Sequence, residues 1–259
     1  MGTSKPNSGP KGVSSPISPW QADIPEETLP IDDNENEDEN NEFKPWGDVK
    51  RAYSKFLNKP SKASFKKLTD KYRNANGGNK TLSTSAIGGR KAARKLTHFL
   101  SYVSQNGFEE ACREFNIGGL EGLSPEEAIH RLASIFDDID GTDEGSAAKA
   151  AAIETINQLY EVYSESPESL DNLAKEDISN YLSTYISNYI FERLSIEVSN
   201  ALENNKFSKD QVIKANDTLK DFIFEEVKLT IDQENFSLLD VQKQNTIVHG
   251  ILTLAYSMI

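Results

Sequence analysis

"DISNYLSTYISNYIFERLSIEVSNAL", residues 177–202, decides the fold class. Its apolar set Ile178, Tyr181, Leu182, Tyr185, Tyr189, Leu194, Val198 and Leu202 recurs at steps of three, four or their sums. That is the period of a helix with one apolar side, and it predicts a long amphipathic helix. No stretch of the chain alternates with period two for long enough to predict a strand.

Outward from this stretch, helix follows helix. On the C-terminal side, "SKDQVIKANDTLKDFIFEEVKLTI" and the apolar "TIVHGILTLAYSMI" predict two more helices. The latter is too short to span a bilayer and reads as buried. On the N-terminal side, "GSAAKAAAIETINQLYEVYSE" predicts a helix that breaks around Pro167. Before it, "LSPEEAIHRLASIFDDI" carries its own start signal: Ser124 as N-cap, Pro125 at the first helical position and Glu127 three after the cap. A helix is predicted over "TSAIGGRKAARKLTHFLSYVSQ", ending at Gly107. Further back, "WGDVKRAYSKFL" puts Trp46, Val49, Tyr53, Phe56 and Leu57 on one face, and Pro60 stops it. Ser61 then caps a second helix that ends at the Asn76–Gly78 breaker. The predicted fold is all-α: a helical bundle preceded by a long disordered N-terminal tail.

The 259 residues carry a net charge of −13, unevenly spread. Residues 1–43 have a net of −8, residues 44–95 a net of +13 and residues 96–259 a net of −18. The chain therefore divides into a Pro/Ser/Gly-rich and then acidic tail (1–43), a basic helical segment (44–95) and an acidic helical bundle (96–259). The tail cannot bury enough apolar surface to offset its ordering entropy. As a coil of about 42 residues it would reach roughly 32–39 Å. An asymmetry of this size points to a partner or to an internal docking surface.

Several chemistries are disfavoured. The single cysteine, Cys112, leaves no intrachain disulfide and no cysteine-based zinc site. It falls on the apolar side of a short helix, where a thiol stays protonated. His98, His130 and His249 are scattered without a second ligand at metal spacing. In "NGGNKT" Asn79 stands where a P-loop needs glycine before its lysine. "DDIDGTDEG", residues 137–145, puts Ala147 or Ala151 at the twelfth position of a calcium loop, so it reads as a solvated loop that caps the next helix. Pro6 occupies the position where a myristoylation signal wants Ser or Thr. No catalytic constellation, metal site or cofactor is predicted, and the chain is read as a non-enzyme. No apolar signal segment follows Met1, and a reducing, cytoplasmic setting without membrane attachment is expected. The basic block keeps one open role. Lys66, Lys67, Lys71 and Arg73, then Arg90, Lys91, Arg94 and Lys95, would attract phosphate backbones without sequence specificity, or dock on acidic surface of the same chain.

"MGTS" with "SGP" and "SPISPW" behind it, "GGRKAARK", "GLSPEEAIHRLASIFDDIDGTDEGSAAKAAAIETINQLYEV" and "ISNYLSTYISNYIFERL", in that order, resemble the QatB family of the Qat bacterial anti-phage system. The resemblance implies an ATPase, a QueC-like enzyme of the QatC type and a TatD-like nuclease as partners. QueC-type enzymes adenylate a 7-carboxy-7-deazaguanine and pass it to an amine. The resemblance implies that Gly2, after removal of Met1, supplies that amine, with Thr3 and Ser4 as the adjoining recognition positions. An α-amino group suits this role, since its reference pKa of about 7.7–8.0 leaves far more free base near neutral pH than a lysine at about 10.4. Glycine has no side chain to hinder approach.

Overall fold

The structure is a computed structural model and describes residues 45–165, 173–198, 207–234 and 244–258. The predicted tail, with Gly2, Thr3 and Ser4, and the break at Pro167 lie outside the described residues. Among the described residues there are ten α-helices and no strand. They are α1 (Pro45–Asn58), α2 (Lys62–Ala75), α3 (Asn79–Ser85), α4 (Ile87–Asn106), α5 (Phe108–Glu114), α6 (Pro125–Ala133), α7 (Asp143–Glu165), α8 (Lys175–Val198), α9 (Lys209–Glu234) and α10 (Gln244–Met258). A 3₁₀ turn, Ser134–Phe136, follows α6.

The local start and stop signals act as their chemistry requires. Ser61 Oγ accepts the Ser64 amide and Ser64 Oγ accepts the Ser61 amide, a reciprocal cap on α2. Ser124 and Glu127 do the same for α6. Ser208 Oγ accepts the Gln211 amide at the start of α9. After α2 the chain turns through Gly77 and Gly78, whose φ values of 77° and 98° favour glycine. Ser61→Ala removes the hydroxyl that accepts the Ser64 amide and leaves the bond from the residue-61 amide to Ser64 Oγ. It is expected to cost about 1 kcal/mol of stability, read by urea denaturation followed by circular dichroism.

Two predictions about helices change. The helix predicted through "TSAIGGRKAARK" is broken at Ala86, between α3 and α4. There the Gly88 and Gly89 amides bond to Glu144 from another helix, so α4 starts at this junction. The helix over residues 177–198 is not amphipathic in the sense predicted. From Tyr181 to Val198 no residue of α8 is exposed. It packs against α4, α7 and α9 and runs through the centre of the body. Its serines tolerate this because Ser183 Oγ donates to Ser179 O at 2.8 Å and Ser187 Oγ to Ser183 O at 2.7 Å. Buried hydroxyls satisfied within the helix cost little.

One core joins the described helices, from Val49 of α1 to Tyr256 of α10. The α1–α2 hairpin belongs to it: Tyr53 donates to Asn216 of α9 at 2.8 Å, Gln211 of α9 donates to Leu57 O at 3.1 Å, and the Phe65 and Phe222 rings lie 5.4 Å apart. Leu96, where the charge balance changes sign, lies inside α4 and is buried. No described helix is long and apolar enough to cross a membrane.

Candidate functional site

The basic residues singled out from the sequence do not form one surface. Lys91 and Lys95 lie one turn apart on α4 and both reach Asp138, at 2.9 and 2.6 Å. Lys91 Nζ also donates to Asp138 O, and Lys95 Nζ to Ile135 O, each at 2.8 Å. Those are carbonyls just after α6, where a helix leaves acceptors unused. Hydrogen bonding to Lys95, with help from Lys91, holds the Asp138 carboxyl below its usual value. Arg90 donates to Thr84 O at 3.1 Å, at the end of α3, and its Nη1 lies 3.2 Å from His249 Nδ1. Arg73 pairs with Asp70 and donates to Ser257 O at 3.0 Å, at the end of α10. Lys71 pairs with Asp48 at 3.3 Å. Five of these cations thus stitch helix ends and hairpin together. Of the eight residues singled out, Lys66 and Lys67 are the two that stand exposed, and neither forms an ion pair among the described residues. Arg94 and Lys95 border an open cleft of about 470 Å³ with His98, Phe115, Ser134 and Ile135.

The acidic loop 137–145 performs the capping role predicted for it. Asp140 Oδ1 accepts from the Thr142 amide and hydroxyl, and Thr142 Oγ1 accepts the Gly145 amide at 3.0 Å. Among the described residues no group of three or more His, Cys, Asp or Glu could hold a metal ion. Burial, with the nearby Glu109 carboxylate, pushes the Cys112 thiol up to about 12, so it is not a nucleophile near neutral pH. Ser83 and His249 come within 3.4 Å, but Ser83 is buried and its hydroxyl lies 2.7 Å from Thr253 Oγ1.

The polar centre of the molecule was missed by sequence reasoning. Glu144, in the first turn of α7, accepts the Gly88 and Gly89 amides at 2.8 Å each, so one carboxylate caps α4 from another helix. Its Oε1 also accepts the Tyr189 hydroxyl at 2.6 Å. Burial raises that hydroxyl well above its ordinary value, so it stays a donor. One turn along α8, the buried Arg193 donates to Leu82 O at 3.0 Å, to Ser85 Oγ at 2.9 Å and to Glu197 Oε1 at 3.1 Å. Burial pushes the neighbouring Tyr256 hydroxyl up to about 12. The one hint in the sequence was the paired glycine of "IGGRK", which leaves room for the Tyr189 ring and the carboxylate.

A family model described as Qat anti-phage system associated protein QatB matches residues 77–259, which span α3 to α10. The chain belongs to the QatB family. No curated protein and no solved structure matches it. As a QatB family member it is a component of the Qat anti-phage system, with other components of that system as partners. The QatB match holds the Glu144–Tyr189–Arg193 centre and the second basic group. The α1–α2 hairpin and residues 1–44 precede it.

Proposed function

We propose that this QatB family member is a non-enzymatic carrier in the Qat system, and that the α-amine of Gly2 accepts a deazaguanine acyl group from a QueC-like enzyme of the QatC type. Family membership carries the reading. The "GTS" that follows Met1 supports it, being small and uncharged. The chemistry is that of an activated ester meeting an amine. The enzyme joins the 7-carboxylate to AMP from ATP and releases pyrophosphate. The free amine of Gly2 attacks the acyl carbon, the bond to AMP breaks, an amide forms and the amine gives up a proton to solvent. Thr3 and Ser4 are the adjoining recognition positions.

Intact and peptide mass spectrometry of the protein co-expressed with its whole operon tests this. The expected product carries the acyl mass on Gly2, with Lys5 and Lys11 unmodified because their amines are mostly protonated near pH 7. Gly2→Pro presents a hindered secondary amine. That variant is expected to keep its melting temperature, lose the modification and lose phage protection. An unmodified Gly2 in protein from an operon that protects against phage would overturn the reading.

A further inference from the structure

Seven basic residues and no acidic one lie between Asp48 and Asp70: Lys50, Arg51, Lys55, Lys59, Lys62, Lys66 and Lys67. The fold gathers four of them at the closed end of the α1–α2 hairpin. Lys59 N donates to Lys55 O at 3.1 Å, and Ser64 Oγ donates to Lys59 O at 2.9 Å, which ties the last turn of α1 to the first turn of α2. Lys66 and Lys67 follow within the next turn. Lys55, Lys59, Lys66 and Lys67 are all exposed and form no ion pair among the described residues. Their neighbour Lys62 reaches Glu225 at 3.3 Å across a pair more than half exposed on both sides.

We propose that this closed end of the hairpin is a docking surface for the phosphate backbone of double-stranded nucleic acid. The proposal is independent of the Gly2 reading. Exposed ammonium groups that lie within a Debye length of one another, roughly 8–10 Å at ordinary salt, act together on a polyanion, and four of them outnumber the one carboxylate, Glu225, that reaches the hairpin's first α2 turn. A duplex fits better than a single strand. The hairpin's Tyr53, Phe56, Phe65 and Tyr72 are buried in the core, and Trp46 packs edge-on against Tyr72. Among the described residues no exposed aromatic ring lies on this face for bases to stack on, so phosphate contact is what it offers. The second basic group on α4 is not part of the surface, since Lys91 and Lys95 are held by Asp138.

Fluorescence anisotropy of the full-length protein with 20-base-pair DNA and RNA duplexes of arbitrary sequence, titrated with salt, tests the surface. Replacing Lys55, Lys59, Lys66 and Lys67 together by Gln is expected to weaken duplex binding at least tenfold at about 100 mM salt. It should also flatten the log–log salt slope by about three to four, near 0.9 for each phosphate no longer neutralised. A charge-matched control, Lys80, Arg113, Lys149 and Lys228 to Gln, should keep the slope. Circular dichroism checks that both variants fold. A matching single strand should bind more weakly. Three results would each overturn the proposal: no duplex binding at about 50 mM salt, equal loss in the two variants, or polyglutamate bound as tightly as duplex. The last would make the face a site for an acidic protein instead.

Discussion

Arg193→Met is expected to lower the stability of the protein by roughly 3–5 kcal/mol, because it removes one partner of a buried charge network and leaves the other. The Arg193 side chain is 7% exposed and that of Glu197 22%. The substitution strips Glu197 Oε1 of its donor and removes the guanidinium bonds to Ser85 Oγ and to Leu82 O, at the end of α3, where only the Ser85 hydroxyl still donates to Leu82 O. Glu197 Oε2 and the Tyr72 hydroxyl are already buried with no hydrogen-bond partner among the described residues, so the network is under-satisfied before the substitution. Such a loss is a large share of the 5–15 kcal/mol by which domains are usually stable. Urea denaturation measures it. The double variant Arg193→Met, Glu197→Met should recover part of the loss, since two apolar side chains of similar length replace both charges. A single variant that costs less than about 1 kcal/mol would show that Arg193 is solvated and not bound to the end of α3 and to Glu197.

The second large effect separates two glycines that look alike in sequence. Both Gly89 and Gly250 sit within helices, where alanine is normally better by about 1 kcal/mol. A Cβ at Gly250 meets nothing within 4 Å, and Gly250→Ala is expected to stabilise by roughly 0.5–1 kcal/mol. At Gly89 the same atom would lie 2.4 Å from Tyr189 Cζ, in a ring that is fully buried and bonded to Glu144. The ring cannot withdraw without breaking the bond that helps place the carboxylate under the α4 amides. Gly89→Ala is therefore expected to destabilise by about 2 kcal/mol or more despite the gain in helix propensity. Opposite signs of the shift in urea midpoint for the two variants are the expected result. A neutral Gly89→Ala would mean that α4 and α8 separate there at little cost.

The charge pattern takes on its meaning through the tertiary contacts. The run of cations from residue 44 to 95 reads in sequence as one basic block. In the fold it serves two purposes, because α2 and α4 face different surroundings. On α4 the cations meet spent helix ends and Asp138, and their charge is used inside the molecule. At the hairpin's closed end they meet solvent.

What the sequence determined by itself is what depends on neighbours within about four positions. The helical period gave α1, α2, α7, α9 and α10 close to their observed bounds, and the start of α6 but not its end at Ala133. Ser61 and Ser124 marked starts because a capping hydroxyl reaches amides only two or three residues on. Pro60 and the Gly77–Gly78 turn marked stops for equally local reasons. Tertiary structure alone decided the rest. The break at Ala86 depends on Glu144, 55 residues from Gly89. The fate of Lys95 depends on Asp138, 43 residues away, and the polar centre on a bond from Arg193 to a carbonyl 111 residues earlier. The central position of α8 is of the same kind. A periodic row of tyrosines and leucines says that one side is buried, but only the helices packed around it bury the serines on the other, and only packing tells a surface helix from a core one.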